Sequence, residues 1–310
     1  MIAAIVVLFH PNRDAFIRLL SSLVGQVSTV YAIDNTPGPP STTRALLDDY
    51  EQSVTYIPLG ENKGIGEAQN IGIDLSVKGG YTHVLLLDQD SVLKAGMVPR
   101  LLAAEVELIS KTDHVAGVAP QVIDERSGTR PCGCIYRWFG YRLVYRDIHS
   151  SVPVPTDTLM ASGSLIRTSV LRIIGTMRSD LFIEHVDTEW SLRALSAGYR
   201  CYCVPNAVLM HSIGDSAVKL FGKNIYLYSD SRYYYKLRNE VYLARLKTMG
   251  KNWRAYILPA ILYHFVIYVA FSKNRLAVFR LLVKAIGDGI RGSLGPLSER
   301  PEAAPSANTL

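Results

Sequence analysis

The sequence predicts an open, mostly parallel α/β sheet with helices on both faces, followed by a basic helical C-terminal region. Three observations carry that reading. Short runs of Val, Ile, Leu and Tyr alternate with helical patterns through the first 120 residues, as in repeated strand–helix units. The runs are apolar on both faces, as strands covered by helices on both sides must be. The charge is divided: residues 1–218 carry a net −4 and residues 219–300 a net +11, within an overall +6. A chain of 310 residues is long enough to bury a large core. With 48% hydrophobic and 19% charged residues, it is not a disordered or acidic-tail protein. The 23 Gly and 15 Pro exclude collagen-like and low-complexity chains.

The elements follow in order. Strands are expected at Ile2–Phe9, Thr29–Ile33, Val54–Leu59, Val84–Leu87 and Val115–Ala119. Helices are expected between them at about Arg13–Val24, Thr42–Gln52, Ile65–Val77 and Gly96–Ser110, where apolar residues recur at helical spacing. Residues 121–157 are rich in Gly, Pro, Arg and aromatics without a clear period, and read as an excursion walling a binding site. A helix is expected at Asp187–Ala197, a strand at Tyr199–Val204, and a helix from Ser229 to Met249.

The run Tyr256–Phe271 holds 16 residues with one ionisable group, His264, and one proline, Pro259. That is short of the roughly 20 apolar residues a spanning helix needs. Lys273–Arg291 is amphipathic: Lys273, Arg280, Lys284 and Arg291 share one stripe, away from Leu276, Phe279, Val283, Ile286 and Ile290. The combination predicts peripheral attachment to an anionic membrane surface. Nucleic acid is the competing anionic partner, with Tyr233-Tyr234-Tyr235 beside Arg232, Lys236 and Arg238 as its foothold. The apolar run fits a membrane better, and no nucleic-acid partner is expected. Residues 299–310 read as a flexible tail.

The four cysteines form two Cys-x-Cys pairs, Cys132 with Cys134 and Cys201 with Cys203. The spacing is narrower than structural zinc sites use, so free thiols in a reducing compartment are expected. The apolar N-terminus has no basic n-region and no small-residue cleavage site. It reads as a buried strand, which makes a cytoplasmic location the expectation.

Ligands of open α/β sheets bind outside the carboxyl ends of the strands. Here those ends carry His10, then Asp34-Asn35, then Asn62, then Asp88-Gln89-Asp90. Several polar residues on one edge point to a nucleotide site. No G-x-G-x-x-G follows the first strand and no G-x-x-x-x-G-K-[ST] occurs, which disfavours hydride transfer and ATP-driven phosphoryl transfer. Two carboxylates two residues apart after a buried strand can grip a hard cation, because Mg²⁺ takes one or two protein carboxylates and completes its shell with phosphate oxygens and water. The turn Glu61–Gly72 opens a helix with glycines, among them Gly64, and amides. Its backbone is accessible and its helix N-terminus favours an anion. In His185–Arg193 two acids open a helix. Asp187 is the candidate general base at an acceptor hydroxyl. Glu189, with Arg193, is the candidate support of the local backbone or the acceptor.

Three strings together, Leu85–Ser91, Phe182–Arg193 and the amide-rich turn Asn62–Gly72, resemble family 2 glycosyltransferases, and within them bacterial rhamnosyltransferases that use dTDP-L-rhamnose. The resemblance covers about Ile2 to Arg245. It implies a GT-A (Rossmann-like) catalytic domain over 1–228, with a nucleotide-sugar half at 1–120 and an acceptor half at 121–228. A basic helical membrane-associating region at 229–298 would follow. It implies inversion by direct displacement, with Mg²⁺ or Mn²⁺ as cofactor and a glycan or lipid-linked acceptor. Carried over residue by residue, it implies that Asp34, Asn62, Gly64, Asp88, Ser162 and Gly163 bind the donor nucleotide. Asp90, Asp88 and His211 would reach the metal or diphosphate, and Asp187 would be the base. Arg238-Asn239 matches a pattern of the subgroup without an assigned role, and Glu184 stands where the pattern has Asp. A UDP-sugar such as UDP-galactofuranose is the alternative donor.

Overall fold

A computed structural model describes residues 1–39, 53–112, 114–124, 137–139, 142–144, 152–211, 216–220, 223–227 and 229–297. The helix expected at 42–52, Cys132 and Cys134, and the tail at 299–310 lie outside the described residues.

The central sheet begins with four parallel strands in the order β3 (Val54–Pro58), β2 (Thr29–Asp34), β1 (Ile2–Leu8) and β4 (His83–Asp88). Their helices are α1 (Arg13–Leu23), α2 (Ile65–Lys78) and, after the short β5 (Val92–Leu93), α3 (Met97–Ile109). The sheet continues through β10 (Leu165–Arg167), which is antiparallel to β4 and to β6 (Val115–Asp124). β11 (Arg200–His211) runs parallel to β6, and β5 and β9 (Val154–Thr156) flank β11 antiparallel. A β7–β8 hairpin (Arg137–Phe139 and Arg142–Val144) and a β12–β13 pair (Ser216–Leu220 and Lys223–Leu227) stand apart.

Two-residue alternation along each strand divides the core. On β1, Ile2, Ala4, Val6 and Leu8 face α1 and α3, while Ile5 faces α2. On β4, Leu85 and Leu87 join the first side, Val84 and Leu86 the second. The second side is closed by α4 (Thr168–Ile174) and α5 (Val186–Ser196), with Trp190 fully buried. Both faces are therefore dry, and this is what the two-sided apolar strands anticipate. Register then brings the polar strand ends together: Leu8 pairs with Asp34 and Val7 with Asp88.

Two boundaries differ from expectation. β11 does not stop at Val204. It carries Pro205 through a register shift between Val204 and Val208, where the missing N–H of proline costs no ladder bond. The extension delivers His211 to the sheet edge. The helix expected from Ser229 to Met249 ends earlier, as α6 (Asp230–Leu243), and Gly250 at φ +71° starts α7 (Lys251–Phe271) in a new direction. α7 is therefore 21 residues long, longer than the 16-residue apolar run.

The C-terminal region is built onto the sheet domain and is no loose appendage. Tyr233, Tyr234, Tyr235 and Leu237 of α6 form a core with Tyr268 of α7 and Val278, Leu282 and Ala285 of α8 (Arg275–Arg291). Trp253 and Ile257 of α7 enter the sheet-side core. The tyrosine run is packed inside, so it offers no stacking platform for bases. α6 and α8 meet so closely that a Cβ on Gly289 would lie 2.6 Å from the Arg238 carbonyl oxygen.

Candidate active site

A cleft of about 520 Å³ opens at the carboxyl edge of the parallel strands. Asn35, Asn62 and Gly64 line one end, Asp88, Asp90, Ser162 and His211 one wall, and Glu184, His185, Asp187 and Arg232 a second wall that adjoins it where Asp187 meets Ala161 N.

The amide end is pre-shaped by its own bonds. Asn35 Nδ2 donates to Asn62 Oδ1 at 2.9 Å, and Asn62 Oδ1 also accepts from Gly64 N at 3.0 Å. Gly64 sits at φ +83°, and a Cβ there would meet the Phe182 carbonyl oxygen at 2.6 Å. Only glycine fits that backbone and that approach. The first N–H of α2, on Ile65, is taken by Phe182 O at 2.7 Å. Asn70 of the same string exchanges two bonds with the Met177 backbone, so it ties α2 to the chain ahead of the second wall.

On the first wall, His211 Nδ1 lies 3.2 Å from Asp90 Oδ1 and Nε2 lies 3.6 Å from Asp88 Oδ2. Ser162 Oγ accepts from Asp88 N at 3.2 Å and sits 2.6 Å from Ser91 Oγ. Gln89 exchanges two bonds with the Phe9 backbone, which fixes the strand-end turn to β1. Burial raises the Asp88 carboxyl above its ordinary value, His211 offsets this in part, and Asp90 and Asp187 add to it. Two acids and one imidazole thus face the cleft with too little positive charge around Asp88.

Asp187 stands in the first turn of α5 on the second wall. Its Oδ2 accepts from Ala161 N at 3.2 Å and its Oδ1 from Thr188 N at 2.7 Å. Burial raises its pKa above the usual 3.8, Thr188 and Ala161 N–H and His185 lower it in part, and Glu184 pushes it up. The loop before it is strained: Phe182, Glu184 and His185 have φ of 67°, 64° and 63°. Each such non-glycine residue costs of order 1–3 kcal/mol and persists only where its surroundings over-determine it.

Four residues singled out in the sequence do not line the cleft. Asp34 is at the correct strand end but buried, accepting from Tyr56 OH at 2.6 Å and Thr36 N at 3.0 Å. Gly163, at φ +88°, packs against Pro120 behind the Ser162 wall. Glu189 is buried and receives Arg193 Nε and Nη2 at 3.0 Å each, while Arg193 also donates to Ile174 O and Thr176 O. That pair anchors backbone, the first of the two roles considered for it. Conversely, Arg232 and His185 enter the cleft although neither was expected there as a site residue. Arg232 lies beyond 40 residues of chain from the loop it joins, where it donates to Glu184 Oε1 at 2.9 and 2.6 Å.

An open α/β sheet thus brings an acid pair after a central strand, Asp88 and Asp90, into one cleft with Glu184 and with Asp187 at a helix start. The chain matches Glycosyl transferase family 2 over residues 4–173, and it belongs to that family. It is 32% identical over 295 residues to the dTDP-rhamnosyl transferase RfbF of Shigella flexneri, covering 95% of this chain and 97% of that one. Among solved structures, GalNAc-T7 with UDP, GalNAc and Mn2+ has a TM-score of 0.57 at 13% identity over 94% of this chain, which spans 57% of the length of GalNAc-T7. S. aureus TarS 1–349 in complex with UDP-GlcNAc has a TM-score of 0.56 at 16% identity, over 94% of this chain and 81% of that one. At these identities the solved structures establish the fold, a GT-A-like open sheet. The chain is a glycosyltransferase.

Proposed function

We propose that this glycosyltransferase moves L-rhamnose from dTDP-L-rhamnose, with inversion, to a hydroxyl of a glycan or lipid-linked acceptor in cell-surface polysaccharide or glycolipid synthesis. The observation that carries the reaction is the cleft itself, with the Asp88, Asp90 and His211 group on one wall and Asp187 on the other. The near full-length identity to a dTDP-rhamnosyl transferase supports the donor. The acceptor oxygen attacks the anomeric carbon as the carbon–oxygen bond to the diphosphate breaks. Asp187 takes the hydroxyl proton, the leaving electron pair goes to the diphosphate oxygen, and the anomeric centre inverts. The centre becomes oxocarbenium-like on the way, as in glycoside hydrolysis.

Mg²⁺ or Mn²⁺ fits the first wall. Asp88 and Asp90 are hard oxygen donors two residues apart that line the cleft together. Among the described residues no group of three or more His, Cys, Asp or Glu is arranged to hold a metal ion, so the two carboxylates would have to share a cation with the substrate. Asp90 and Asp88, with His211 beside them, would hold a cation whose remaining positions go to phosphate oxygens. When bound, such a cation neutralises charge on the leaving diphosphate. Asn62, Gly64 and Ser162 would border the nucleotide.

We also place the chain on the cytoplasmic face of the inner membrane, peripherally attached. Among the described residues α7 is long and apolar enough to cross a membrane, yet Trp253, Ile257 and Tyr268 pin it along the protein. Leu258, Leu262 and Val266 of α7 are exposed at helical spacing, as are Leu276, Phe279, Val283 and Ile290 of α8. The Phe265–Phe279 ring contact at 5.6 Å joins the two stripes. Lys273, Arg280 and Arg291 are exposed along the flank of α8. An apolar face edged with cations suits the surface of an anionic bilayer. Leu262→Glu with Val266→Glu should release the protein from anionic vesicles; undiminished binding would refute the placement.

The donor is tested by nucleotide release from dTDP-L-rhamnose against UDP- and GDP-sugars, UDP-galactofuranose included. Turnover is expected with dTDP-L-rhamnose. Preferential turnover of a UDP-sugar would overturn the donor assignment and leave the family intact.

A further inference from the structure

We infer that α6 sets the aim of the base: Asn239 and Glu240 are positioning residues that hold the 181–187 loop so that Asp187 faces the acceptor, with His264 of α7 completing the clasp. The inference rests on the reading of Asp187 as base.

The loop has few bonds of its own and takes its shape from α6. Asn239 Nδ2 lies 3.1 Å from Leu181 O, 2.7 Å from Ile183 O and 2.9 Å from Glu184 O. One amide group, with two hydrogens, thus serves three carbonyls of the loop and shares at least one hydrogen. Arg238 Nη2 adds a bond to Leu181 O at 2.8 Å, and Arg232 holds the Glu184 side chain. Tyr235 stacks on Phe182 at 4.8 Å. His185, the last residue before α5, is gripped through its ring: Nε2 lies 3.3 Å from Glu240 Oε1. The other oxygen of Glu240 meets His264 Nδ1 at 2.9 Å. Asn239 and Glu240 are both fully buried.

The strain in the loop shows what these bonds are for. Three of the four residues 182–185 are non-glycine residues in the left-handed region, a conformation the chain leaves unless held. Most of the holding side chains come from α6, with Ile65 N of α2 on Phe182 O, and the segment they hold ends two residues before Asp187. A loop free to relax would keep the fold of the sheet and lose the direction of that carboxylate. The contacts explain the Arg238-Asn239 string.

The test uses the full-length protein and compares Glu240→Gln, Asn239→Asp, His264→Gln and His185→Gln with the wild type. Glu240→Gln keeps the size of the side chain and removes the charge that orients both rings. A roughly 10-fold or larger fall in kcat is expected, with dTDP affinity by calorimetry within twofold of wild type. Asn239→Asp sets a carboxylate against three carbonyl oxygens and is expected to lower kcat more. Should it fail to fold, the partly exposed His264→Gln serves in its place, with a smaller kcat loss and unchanged dTDP affinity. Glu240→Gln combined with His185→Gln should lose no more kcat than the worse single variant, because both act through one contact. Additive losses, wild-type kcat in folded Glu240→Gln, or a parallel loss of dTDP affinity would overturn the inference. Asp187→Asn runs alongside: wild-type turnover there would fault the base, whereas its loss beside an unaffected Glu240→Gln faults only the clasp.

Discussion

The protein holds two sets of wholly or partly buried carboxylates whose pKa values move in opposite directions. In the cleft, burial pushes Asp88 and Asp187 up, and the neighbouring His211 or backbone N–H groups offset only part of it. Around α6, burial acts the same way but loses. Hydrogen bonds from His185 and His264 bring Glu240 down to about 2, and Lys284, Tyr234 and Arg291 bring Asp288 down to about 2. Glu184 also lies below its ordinary value, because Lys236 and Arg232 outweigh its burial. Acids that hold the scaffold are neutralised inside the chain. In the cleft, Asp88 and Asp187 keep a net upward shift.

The contrast breaks most readily at Asp187. Asp187→Asn is nearly isosteric but cannot take the acceptor proton, so kcat should fall by roughly 10²–10⁴-fold, with dTDP binding near normal by calorimetry. Asp90→Asn, in the same cleft, should cost about 10²–10³-fold through weaker stabilisation of the leaving group. EDTA should abolish turnover, with Mg²⁺ or Mn²⁺ restoring it; full activity in EDTA would remove the cation from this wall.

Glu189 sharpens the comparison, because it is an acid two residues from the base with a scaffold role. Glu189→Gln weakens the Arg193 anchor and should lower stability by about 1–3 kcal/mol, read by thermal melting, with kcat changed little. Asp288→Asn should have the smallest effect, about 1 kcal/mol, since its partners Lys284 and Arg291 are partly exposed. The pH dependence has a definite sign. Asp288 has a folded pKa below the ordinary 3.8. Its contribution is therefore present above about 3.8 and lost as pH falls toward about 2. Acid melting of wild type and Asp288→Asn should converge over that window.

Much of this was legible in the sequence, and the reasons are local. Two-sided apolar strands and the polar residues closing them fixed the sheet and its working edge, because parallel register aligns strand ends whatever the loops do. Asp88, Asp90 and Asp187 stood in strings that mark chemistry. The rest depended on long-range packing. Arg232, His185 and Glu240 meet across about 50 residues of chain, and no spacing rule joins a helix to a loop that far away. Asp34 and Glu189 looked like Asp88 and Asp187 as residue types. Only their partners, Tyr56 and Arg193, distinguish them. The tyrosine run looked like an exposed platform until the pairing of α6 with α8 buried it. β11 looked shorter than it is because a proline usually ends a strand, and here it marks a bulge.

The most direct test is the pH profile of kcat with dTDP-L-rhamnose as donor. A base must be unprotonated to act, so activity falls as pH drops through its pKa. The account places that acid limb above the ordinary carboxylate value of 3.8, because burial raises Asp187. The limb should vanish from whatever residual activity Asp187→Asn retains. A limb at or below 3.8, or one that Asp187→Asn preserves unchanged, would contradict it.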